Sequence, residues 1–451
     1  MFKTFSKLLF LVLVGILLAP TISFAVPSFA RQTGMDCAAC HISYPELTPF
    51  GREFKLNGYT LGERQWLPVA AMMQFSVTNV AKNHDNTGAT IMPHQNDPQF
   101  DVLGLFAAGK LSDYLGMFVQ WTYSNNGTQN ADGAIRGHSG LDNTDIRLAI
   151  NHDVFGKITV FGLNLNNNPS VQDVWNTTPA WGFPFNGPNL PVPGPAFSTV
   201  IEGGLSQQVA GLGAYFWYDR HLYGELSLYG NANNFFRVLS AGQNWHDGSV
   251  TRIDGRTNPY WRLAWNEDWG PSSLMVGTYG MQADIFPDPL NPTGPTNRFT
   301  DTALDAQYQY LSDPHIFTVQ TTYIHEKQDY KASYDPTCDP SLGACLNAHD
   351  HLNTFKAKAS YLYNRKYGAS VAYFNTTGNN DAVAFSTGNN PVTKPDNQGY
   401  VFEVDYNPWT FARIALQYTG YTKFDGSRDV DALGLKPRDR NTLFLNTWFA
   451  F

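Results

Sequence analysis

Residues 355–363 read FKAKASYLY, and apolar and polar side chains alternate along them. Successive side chains of a β-strand point to opposite faces, so this stretch predicts a strand with one aromatic and small-residue face and one charged face. The same alternation recurs in residues 144–151 and 402–407 and continues from about residue 67 to the C-terminus. Segments of about ten such residues are typical of transmembrane β-strands, which face lipid on one side and water on the other.

The composition agrees with a membrane barrel. Aromatic residues make up 14% of the 451 residues and charged residues only 15%, whereas a soluble domain has roughly 25% charged residues. The mean hydropathy of -0.30 is too polar for a bundle of membrane helices, each of which needs about 20 mostly apolar residues. The net charge of -8 argues against nucleic acid as a partner, because nucleic-acid binding calls for a basic face.

Short and long connections alternate along the chain. Tight turns are predicted near residues 112–113, 152–153, 219–220, 269–271, 312–314, 364–366 and 407–408, and long loops at 82–99, 124–140, 167–206, 232–256, 284–299, 328–351, 378–397 and 423–440. Outer-membrane barrels pair short periplasmic turns with long extracellular loops. We therefore predict an all-β fold, a transmembrane antiparallel barrel of about 16 strands over residues 67–451. The aromatic C-terminal residue, Phe451, is typical of outer-membrane proteins.

Residues 1–25 are predicted to be a signal peptide. Lys3 and Lys7 precede an apolar stretch at residues 8–18, and a small-residue cleavage site ends at Ala25. The apolar stretch is shorter than the 18 or so residues expected of a membrane-spanning helix. The protein is therefore expected to be exported and to reside in the bacterial outer membrane.

A short motif, CAACH at residues 37–41, precedes the barrel. In an exported chain, C-x-x-C-H indicates covalent attachment of a c-type haem. The two thiols of Cys37 and Cys40 are spaced to bond to the vinyl groups of one haem, with His41 as the proximal iron ligand. No βαβ pattern or second ligand pair supports a redox or zinc site, and a disulfide or a chance match is the alternative that stays open.

The distal iron ligand is less well determined by the sequence. Met72 and Met73, at the start of the first strand, are the leading candidates, because Met and His are common distal ligands. Other candidates close in sequence are Met35, His84, Met92 and His94, and a five-coordinate haem stays open. Residues 26–66 are too few to fold alone, so this segment is predicted to pack into the mouth or lumen of the barrel.

Four stretches around the motif carry a resemblance to a known family: VPSFARQTG at residues 26–34, CAACH itself, YPELTPFGR at 44–52 and FKLNGY at 54–59. With these, the chain resembles the fused cytochrome-porins of bacterial outer membranes, whose best-known members oxidise ferrous iron outside the cell. The resemblance implies one haem c bound by Cys37, Cys40 and His41. On charge alone, Arg31, Arg52 and Lys55 are expected partners of the haem propionates.

This resemblance implies outer-membrane electron transfer. An extracellular donor, expected to be Fe(II), passes electrons through the haem to a soluble periplasmic c-type cytochrome, which would make the protein a ferrous-iron oxidase. The direction of flow is open. The alternative hypothesis is a porin or substrate channel whose haem segment is a plug or sensor. Single-channel conductance separates the two hypotheses.

Three further features of the barrel region lead to predictions. The longest loop, residues 167–206, contains Trp175, Trp181 and Phe183 and is predicted to fold inward as a constriction. Cys338 and Cys345 are predicted to form a disulfide in an oxidising compartment, with a metal site involving His349 and His351 as the alternative. The charged residues predicted to face a hydrated lumen are Asp145, Arg147, Glu225, Arg262, Lys356, Lys358, Glu403, Asp405 and Arg413.

Overall fold

The structure is a computed structural model. It describes residues 27–92, 94–125, 137–182, 187–188, 194–246, 248–255, 257–341, 343–386 and 393–451. The predicted signal peptide and Phe183 lie outside the described residues.

Sixteen strands form one closed antiparallel barrel, as predicted. They are β3 (Val69–Val80), β4 (Gln99–Lys110), β5 (Leu115–Ser124), β6 (His138–Val154), β7 (Lys157–Asn166), β8 (Val209–Tyr218), β9 (Leu222–Asn231), β10 (Asn258–Trp269), β11 (Ser272–Ile285), β12 (Asn297–Ser312), β13 (His315–Asp329), β14 (His349–Tyr363), β15 (Tyr367–Gly378), β16 (Asn397–Trp409), β17 (Ala412–Lys423) and β18 (Thr442–Ala450). Each strand pairs with its neighbours in sequence, and β18 pairs with β3 to close the barrel. Because every strand has two partners, no sheet edge is left in the barrel.

Tight turns lie at one end of the barrel, which we call the turn end, and the long loops lie at the other, the loop end. Two turns differ from the prediction. The turn predicted at 152–153 is formed by Phe155 and Gly156, which both have positive φ, as a two-residue hairpin of this type requires. The turn predicted at 407–408 lies between Trp409 and Ala412, because an irregular register between Tyr406 and Trp409 extends β16 past the proline.

Burial follows the predicted alternation. Phe355 and Tyr361 are 37% and 39% exposed on the outer face, whereas the side chain of Lys358 between them is 12% exposed on the inner face. The charged residues predicted to line the lumen do face inward, but the expectation of a hydrated wall is wrong for several of them. Arg147 and Asp145 are fully buried and paired at 2.9 Å. Other parts of the chain fill the lumen around them.

The N-terminal segment, residues 27–66, is one of these parts, and we call it the plug. It contains α1 (Ser28–Thr33), α2 (Cys37–Cys40), α3 (Pro49–Leu56) and a small hairpin of β1 (His41–Ser43) and β2 (Glu46–Leu47). Thr48 caps α3 by accepting a hydrogen bond from Gly51 N at 3.1 Å, and Pro49 occupies the first turn, where its missing N–H costs nothing.

Contacts near the tight turns hold the plug at the turn end of the lumen. Tyr44 Oη donates to Thr410 O at 3.1 Å, and Arg365 Nη1 donates to Ala38 O at 3.2 Å. On the opposite wall, Arg220 forms an ion pair with Glu53. These bonds reach several different turns, so the plug is attached around the rim.

Residues 167–182, which we call the inward loop, enter the lumen from the loop end, as predicted for the longest loop. Trp175 is 1% exposed and packs with Leu56 of the plug and with inward-facing aromatic residues of the wall. The plug and the inward loop therefore meet inside the barrel and share one core.

The remaining short helices lie in the loops: α4 (Ala232–Phe235) and the 3-10 turns Pro179–Trp181, Val200–Glu202, Arg237–Ser240 and Pro437–Arg440. None of the helices in the part of the chain that the structure describes has the length and apolar character of a membrane span.

Candidate cofactor cavity

A cavity of about 430 Å³ lies between the plug and the wall formed by β3, β4, β5 and β18. Its volume falls in the range of roughly 300–1,000 Å³ that is usual for cofactor and small-molecule sites. Its lining is mainly apolar and aromatic. The aromatic side chains in the lining include Phe29, Tyr44, Phe54, Tyr59, Trp181 and Trp448.

The CAACH motif forms part of this lining. Cys37 and Cys40 begin and end the single turn of α2, and both line the cavity together with His41, the first residue of β1. Both cysteines are free thiols. Burial raises the pKa of Cys40 to about 11 and also raises the pKa of Cys37, so both are neutral thiols at neutral pH. The structure thus brings the three residues of the motif to one apolar wall.

His41 has the properties of an available ligand. Its Nδ1 atom is buried and has no hydrogen-bond partner among the described residues. Burial lowers the pKa of His41 to about 4, so the ring is neutral at neutral pH, and the neutral imidazole is the form that coordinates metals. A thiol pair, an unpartnered imidazole nitrogen and an apolar cavity of this size fit a covalently bound haem.

The two candidate distal ligands occupy opposite faces of β3. Met72 lines the cavity and is 8% exposed, whereas the alternation of the strand turns Met73 toward the outer face. Met72 lies beside Gly104 of β4, where a Cβ atom would approach its Cγ to 2.8 Å. The missing side chain of Gly104 therefore makes room for Met72.

Of the other distal candidates, Met35 also lines the cavity. Met92, by contrast, packs against Val80 in a separate cluster. His84 bridges Thr90 in the loop after β3, and His94 contacts Asp97 in the same loop. Among the sulfur and imidazole candidates, the structure places only Met72 and Met35 in the wall of the cavity, within the residues it describes.

The basic residues expected near the haem propionates are placed differently from the expectation. Arg31 lies outside the cavity lining and donates to Val69 O. Arg52 is 2% exposed and points to the barrel wall, where it donates to Gln307 at 3.1 Å and Gln309 at 2.7 Å. Both arginines are used to attach the plug to the barrel, and neither lines the cavity.

Lys55 is the basic residue that the structure places in the cavity wall. Its Nζ donates to Val171 O of the inward loop at 2.7 Å and lies 4.2 Å from the centre of the Trp181 ring. Asp145 of the wall is 3.5 Å away. Burial lowers the pKa of Lys55 to about 7. Lys55 therefore joins the plug, the inward loop and the wall at the edge of the cavity.

Asp173 and Arg262 hold the inward loop in place. Asp173 Oδ1 accepts from Trp175 N, and its Oδ2 accepts from Thr177 N, both at 3.0 Å. Arg262 of β10 lies 3.5 Å from Asp173 and 2.6 Å from Asp305 of β12. Charge-assisted hydrogen bonds, which are stronger than neutral ones, thereby hold the turn of the loop, and the Arg262–Asp173 ion pair ties the loop to the wall.

Sequence reasoning missed several cavity residues, and Tyr44 and Trp448 are two of them. Tyr44 packs 5.1 Å from His41 and 5.8 Å from Trp448, measured between ring centres. For Trp448, the sequence pattern does contain a clue to its role. It occupies an inward position of the last strand, between the outward positions of Leu445 and Phe449, where a polar side chain is expected. An aromatic residue at such a position indicates that it packs against an apolar surface inside the barrel.

Outside the cavity, Cys338 and Cys345 are joined in a disulfide with a Cα–Cα distance of 5.9 Å. His349 and His351 lie at the start of β14 and not in the loop, and His349 Nδ1 pairs with Asp329 at 2.7 Å. Among the described residues, no three His, Cys, Asp or Glu side chains are grouped to hold a metal ion.

No protein-family model and no curated protein matches the sequence. Solved structures of outer-membrane barrels do match the fold. OmpT of Vibrio cholerae is 11% identical, with a TM-score of 0.43, over 85% of this chain and 97% of that chain. The outer-membrane channel DcaP of Acinetobacter baumannii is 12% identical, with a TM-score of 0.45, over 85% and 96%. An anion-selective porin from Comamonas acidovorans is 12% identical, with a TM-score of 0.44, over 85% and 98%.

Proposed function

We propose that this outer-membrane-type barrel is an electron-transfer protein that carries a single haem c in the cavity beside the plug. The observation that carries the proposal is the meeting of Cys37, Cys40 and His41 on one wall of a largely apolar cavity. A largely apolar lining lowers the polarity around a haem, and the axial ligands and the burial of a haem are two of the means by which a protein sets its potential.

The residues that would hold the group can be named. Cys37 and Cys40 would form the covalent links, His41 the proximal bond and Met72 the distal bond. Lys55 is the basic side chain in the cavity wall, and it would have to give up its contacts with Val171 O and Asp145 to pair with a propionate. When bound, a haem c supplies one-electron oxidation and reduction. The protein supplies orientation, exclusion of water and control of the potential.

The filled lumen supports transfer of electrons in preference to solutes. The plug and the inward loop share a core in which Leu56 and Trp175 are 0% and 1% exposed. We infer that Fe(II) outside the cell is the donor at the loop end and that a soluble periplasmic c-type cytochrome is the acceptor at the turn end. The chain would then act as an extracellular ferrous-iron oxidase.

The test is a redox titration of the purified protein. The wild-type chain is expected to show one covalent haem, and the haem absorption bands are expected to change when Fe(II) is added. A variant with Cys37→Ser and Cys40→Ser is expected to lack covalent haem while still folding as a barrel. A colourless wild-type protein contradicts the haem, and a coloured protein that Fe(II) does not reduce contradicts the iron donor.

A second candidate function is a porin or substrate channel whose haem segment is a plug or sensor. The inward face of the barrel favours it, because it carries both signs of charge, as in Asp145 and Arg147 or Glu403 and Arg413. Such a lining suits a channel for polar solutes. Planar-bilayer recordings decide between the two functions: a large, steady conductance of the haem-loaded protein supports the channel, and a closed barrel supports electron transfer.

A further inference from the structure

The last part of the longest loop returns to the barrel wall at the loop end, and we call residues 199–205 the return segment. It contains the 3-10 turn Val200–Glu202. Its apolar side chains Ile201 and Leu205 are 2% and 1% exposed, and they pack in one buried cluster with inward-facing tyrosines of the wall. The return segment therefore covers part of the lumen at its loop end.

Two carboxyl groups of the wall hold the backbone of the return segment. Ile201 N donates to Asp301 Oδ2 at 3.2 Å, and Val200 N donates to Glu326 Oε2. Asp301 of β12 and Glu326 of β13 are direct cross-strand partners, and they are 2% and 0% exposed. Side chains at such positions are close neighbours on one face of a sheet. The two groups that hold the segment therefore lie side by side, away from water.

Apolar residues flank this carboxyl pair along the sheet. The other cross-strand partner of Asp301 is Met281 of β11, and the other partner of Glu326 is Leu352 of β14. Tyr279 of β11 faces the same part of the lumen, and its hydroxyl is hydrogen-bonded to a threonine of β13. The adjoining strands thus give the pair no direct cationic partner at these register positions.

A third carboxyl group, Glu202 of the return segment, lies near the pair, but its charge is already balanced. Lys356 Nζ of β14 is 2.5 Å from Glu202 Oε1. Thr199 also donates to Glu202 Oε2, from its backbone N at 3.0 Å and from its hydroxyl at 2.9 Å. The ammonium group of Lys356 therefore neutralises Glu202 and leaves the two carboxyl groups of the pair without compensation.

The hydrogen bonds of the pair indicate where a proton lies. Both oxygens of Glu326 accept, Oε2 from Val200 N and Oε1 from Gln328 Nε2 at 2.6 Å. Asp301 Oδ1, by contrast, is buried and accepts from none of the described residues. The two carboxyl groups are hydrogen-bonded to each other, and such a bond requires a proton on one of them. The free oxygen of Asp301 is the position for that proton, which it donates to Glu326.

We propose that Asp301 and Glu326 form a pH-sensitive latch that holds the return segment in the lumen. Loss of the shared proton leaves two negative charges side by side in a buried site, where they repel each other strongly. The pair relieves this repulsion by separating or by taking up water, and both changes withdraw acceptors from Val200 N and Ile201 N. The segment is therefore held at low pH and released as the pH rises. The latch does not depend on a haem.

The steepness of the release follows from the number of protons. Separated carboxyl groups ionise at a lower pH than the latched pair, because neither faces the other's charge. Between these two pH values, release of the segment is accompanied by loss of one proton. The ratio of released to held segment therefore rises about tenfold for each unit of pH in this interval.

The experiment is hydrogen–deuterium exchange of the purified full chain, read by mass spectrometry at residues 199–205 from mildly acidic to mildly alkaline pH. The wild type is expected to lose protection as the pH rises. Asp301→Asn is expected to keep it, because its amide nitrogen donates to Glu326 and its amide oxygen still accepts from Ile201 N. At alkaline pH, exchange in the wild type should be at least about tenfold faster than in Asp301→Asn. Comparing variants at one pH removes the pH dependence of the exchange chemistry itself.

Two further variants complete the test. Glu326→Gln removes the second negative charge and is also expected to abolish the pH dependence, so it decides the matter if Asp301→Asn does not fold. Glu225→Gln is the matched control. Glu225 is another buried, inward-facing carboxyl group, but its partners are the neutral donors Tyr223 Oη at 2.7 Å and Asn164 Nδ2 at 2.8 Å. It should retain the pH profile of the wild type. Heat-modifiable gel mobility verifies that each variant folds.

Three outcomes overturn the latch. Protection of residues 199–205 that does not change with pH in the wild type shows that no proton controls the segment. An equal loss of protection in the wild type and in a folded Asp301→Asn or Glu326→Gln variant shows that the controlling proton lies elsewhere. Loss of the pH dependence in Glu225→Gln as well shows that the effect does not belong to this pair.

Discussion

Single side chains decide whether the plug stays attached. Arg52 illustrates this, because its guanidinium is buried and reaches Gln307, Gln309 and Ser273 of the wall, the last at 2.5 Å. Arg220 also joins the wall to the plug, but its side chain is 60% exposed. Exposed ion pairs contribute about 0–1 kcal/mol to stability. Replacing Arg52 should therefore weaken the attachment of the plug much more than replacing Arg220.

We expect Arg52→Met to loosen the plug. Each buried partner left without a hydrogen bond costs about 1–3 kcal/mol, and Gln307 and Gln309 both lose one. The measurement is the rate at which protease cleaves residues 27–66 in the folded barrel, which should rise markedly. Arg220→Met is the control and should leave the rate close to that of the wild type. Equal rates in both variants would contradict the role given to Arg52.

The neighbouring methionines of β3 offer a matched pair for the distal ligand. In the haem-loaded protein that the proposed function requires, we expect Met72→Leu to change the absorption spectrum of the haem and to lower its potential, since Met ligation raises the potential. Met73→Leu should change neither, because Met73 lies on the other face of the strand. Unchanged spectra in Met72→Leu would remove Met72 as the distal ligand and direct attention to Met35, which also lines the cavity.

At the scale of elements, the inward loop depends on Asp173. Its carboxylate accepts from the backbone of Trp175 and Thr177 and faces Arg262. In the loop that carries the disulfide, Asp335 makes a similar local turn by accepting from Thr337 N at 2.8 Å, but it lies outside the lumen. Comparing substitutions of the two aspartates therefore distinguishes a general effect of losing such a turn from a specific effect on the lumen.

We expect Asp173→Ala to release the inward loop and to raise the single-channel conductance of the barrel, because three buried groups lose a charged partner at about 1–3 kcal/mol each. Asp335→Ala should leave the conductance unchanged. If Asp173→Ala conducts no more than the wild type, the plug alone closes the lumen.

Much of this architecture follows from periodicity. FKAKASYLY at residues 355–363 and its repeats determine strand faces, and the alternation of short and long connections determines their number. The turns at residues 155–156 and 410–411 lie about three residues after their predicted positions. The position of a hairpin turn depends on the strand register and on which residues adopt a positive φ. Local composition does not encode those two properties well.

The candidate site was only partly predictable. The motif itself identifies Cys37, Cys40 and His41, and strand alternation already favours Met72 or Met73 but not both. The positions of Arg52 and Lys55 could not be predicted, since they depend on how α3 turns against a strand 257 residues away and a loop 116 residues away. Charge alone gives a list of basic candidates for the site. Which of them line the cavity depends on tertiary packing, which the sequence does not show.

Closure of the barrel depends on the pairing of β18 with β3, which we call the seam. The C-terminal residue takes part in it, because Phe451 N donates to Ala71 O at 2.7 Å and Ala71 N donates to Phe451 O at 2.9 Å. Trp448 of the same strand lines the candidate cofactor cavity. The end of the chain thus completes both the barrel and the wall of the site.

We expect deletion of residues 449–451 to reduce assembly of the barrel, because the first part of β3 loses its partner and becomes an exposed strand edge. The measurement is the fraction of protein in the outer membrane that shows heat-modifiable gel mobility. A double variant with Cys338→Ser and Cys345→Ser is the control and should assemble normally, since that disulfide closes only a short loop. Normal assembly of the truncated chain would contradict the importance of the seam.

The pairing of β3 with β18 also imposes an order of events during biogenesis. Closure requires β18, so the barrel cannot close before that strand has been translocated. Until then, the CAACH segment is open to the enzymes that the proposed haem attachment requires, and afterwards it lies partly buried in the plug, facing the barrel wall. If haem c is attached as proposed, attachment before insertion gives the two thiols the widest access, and a cell that makes the chain faster than it can modify it is expected to accumulate barrels without haem.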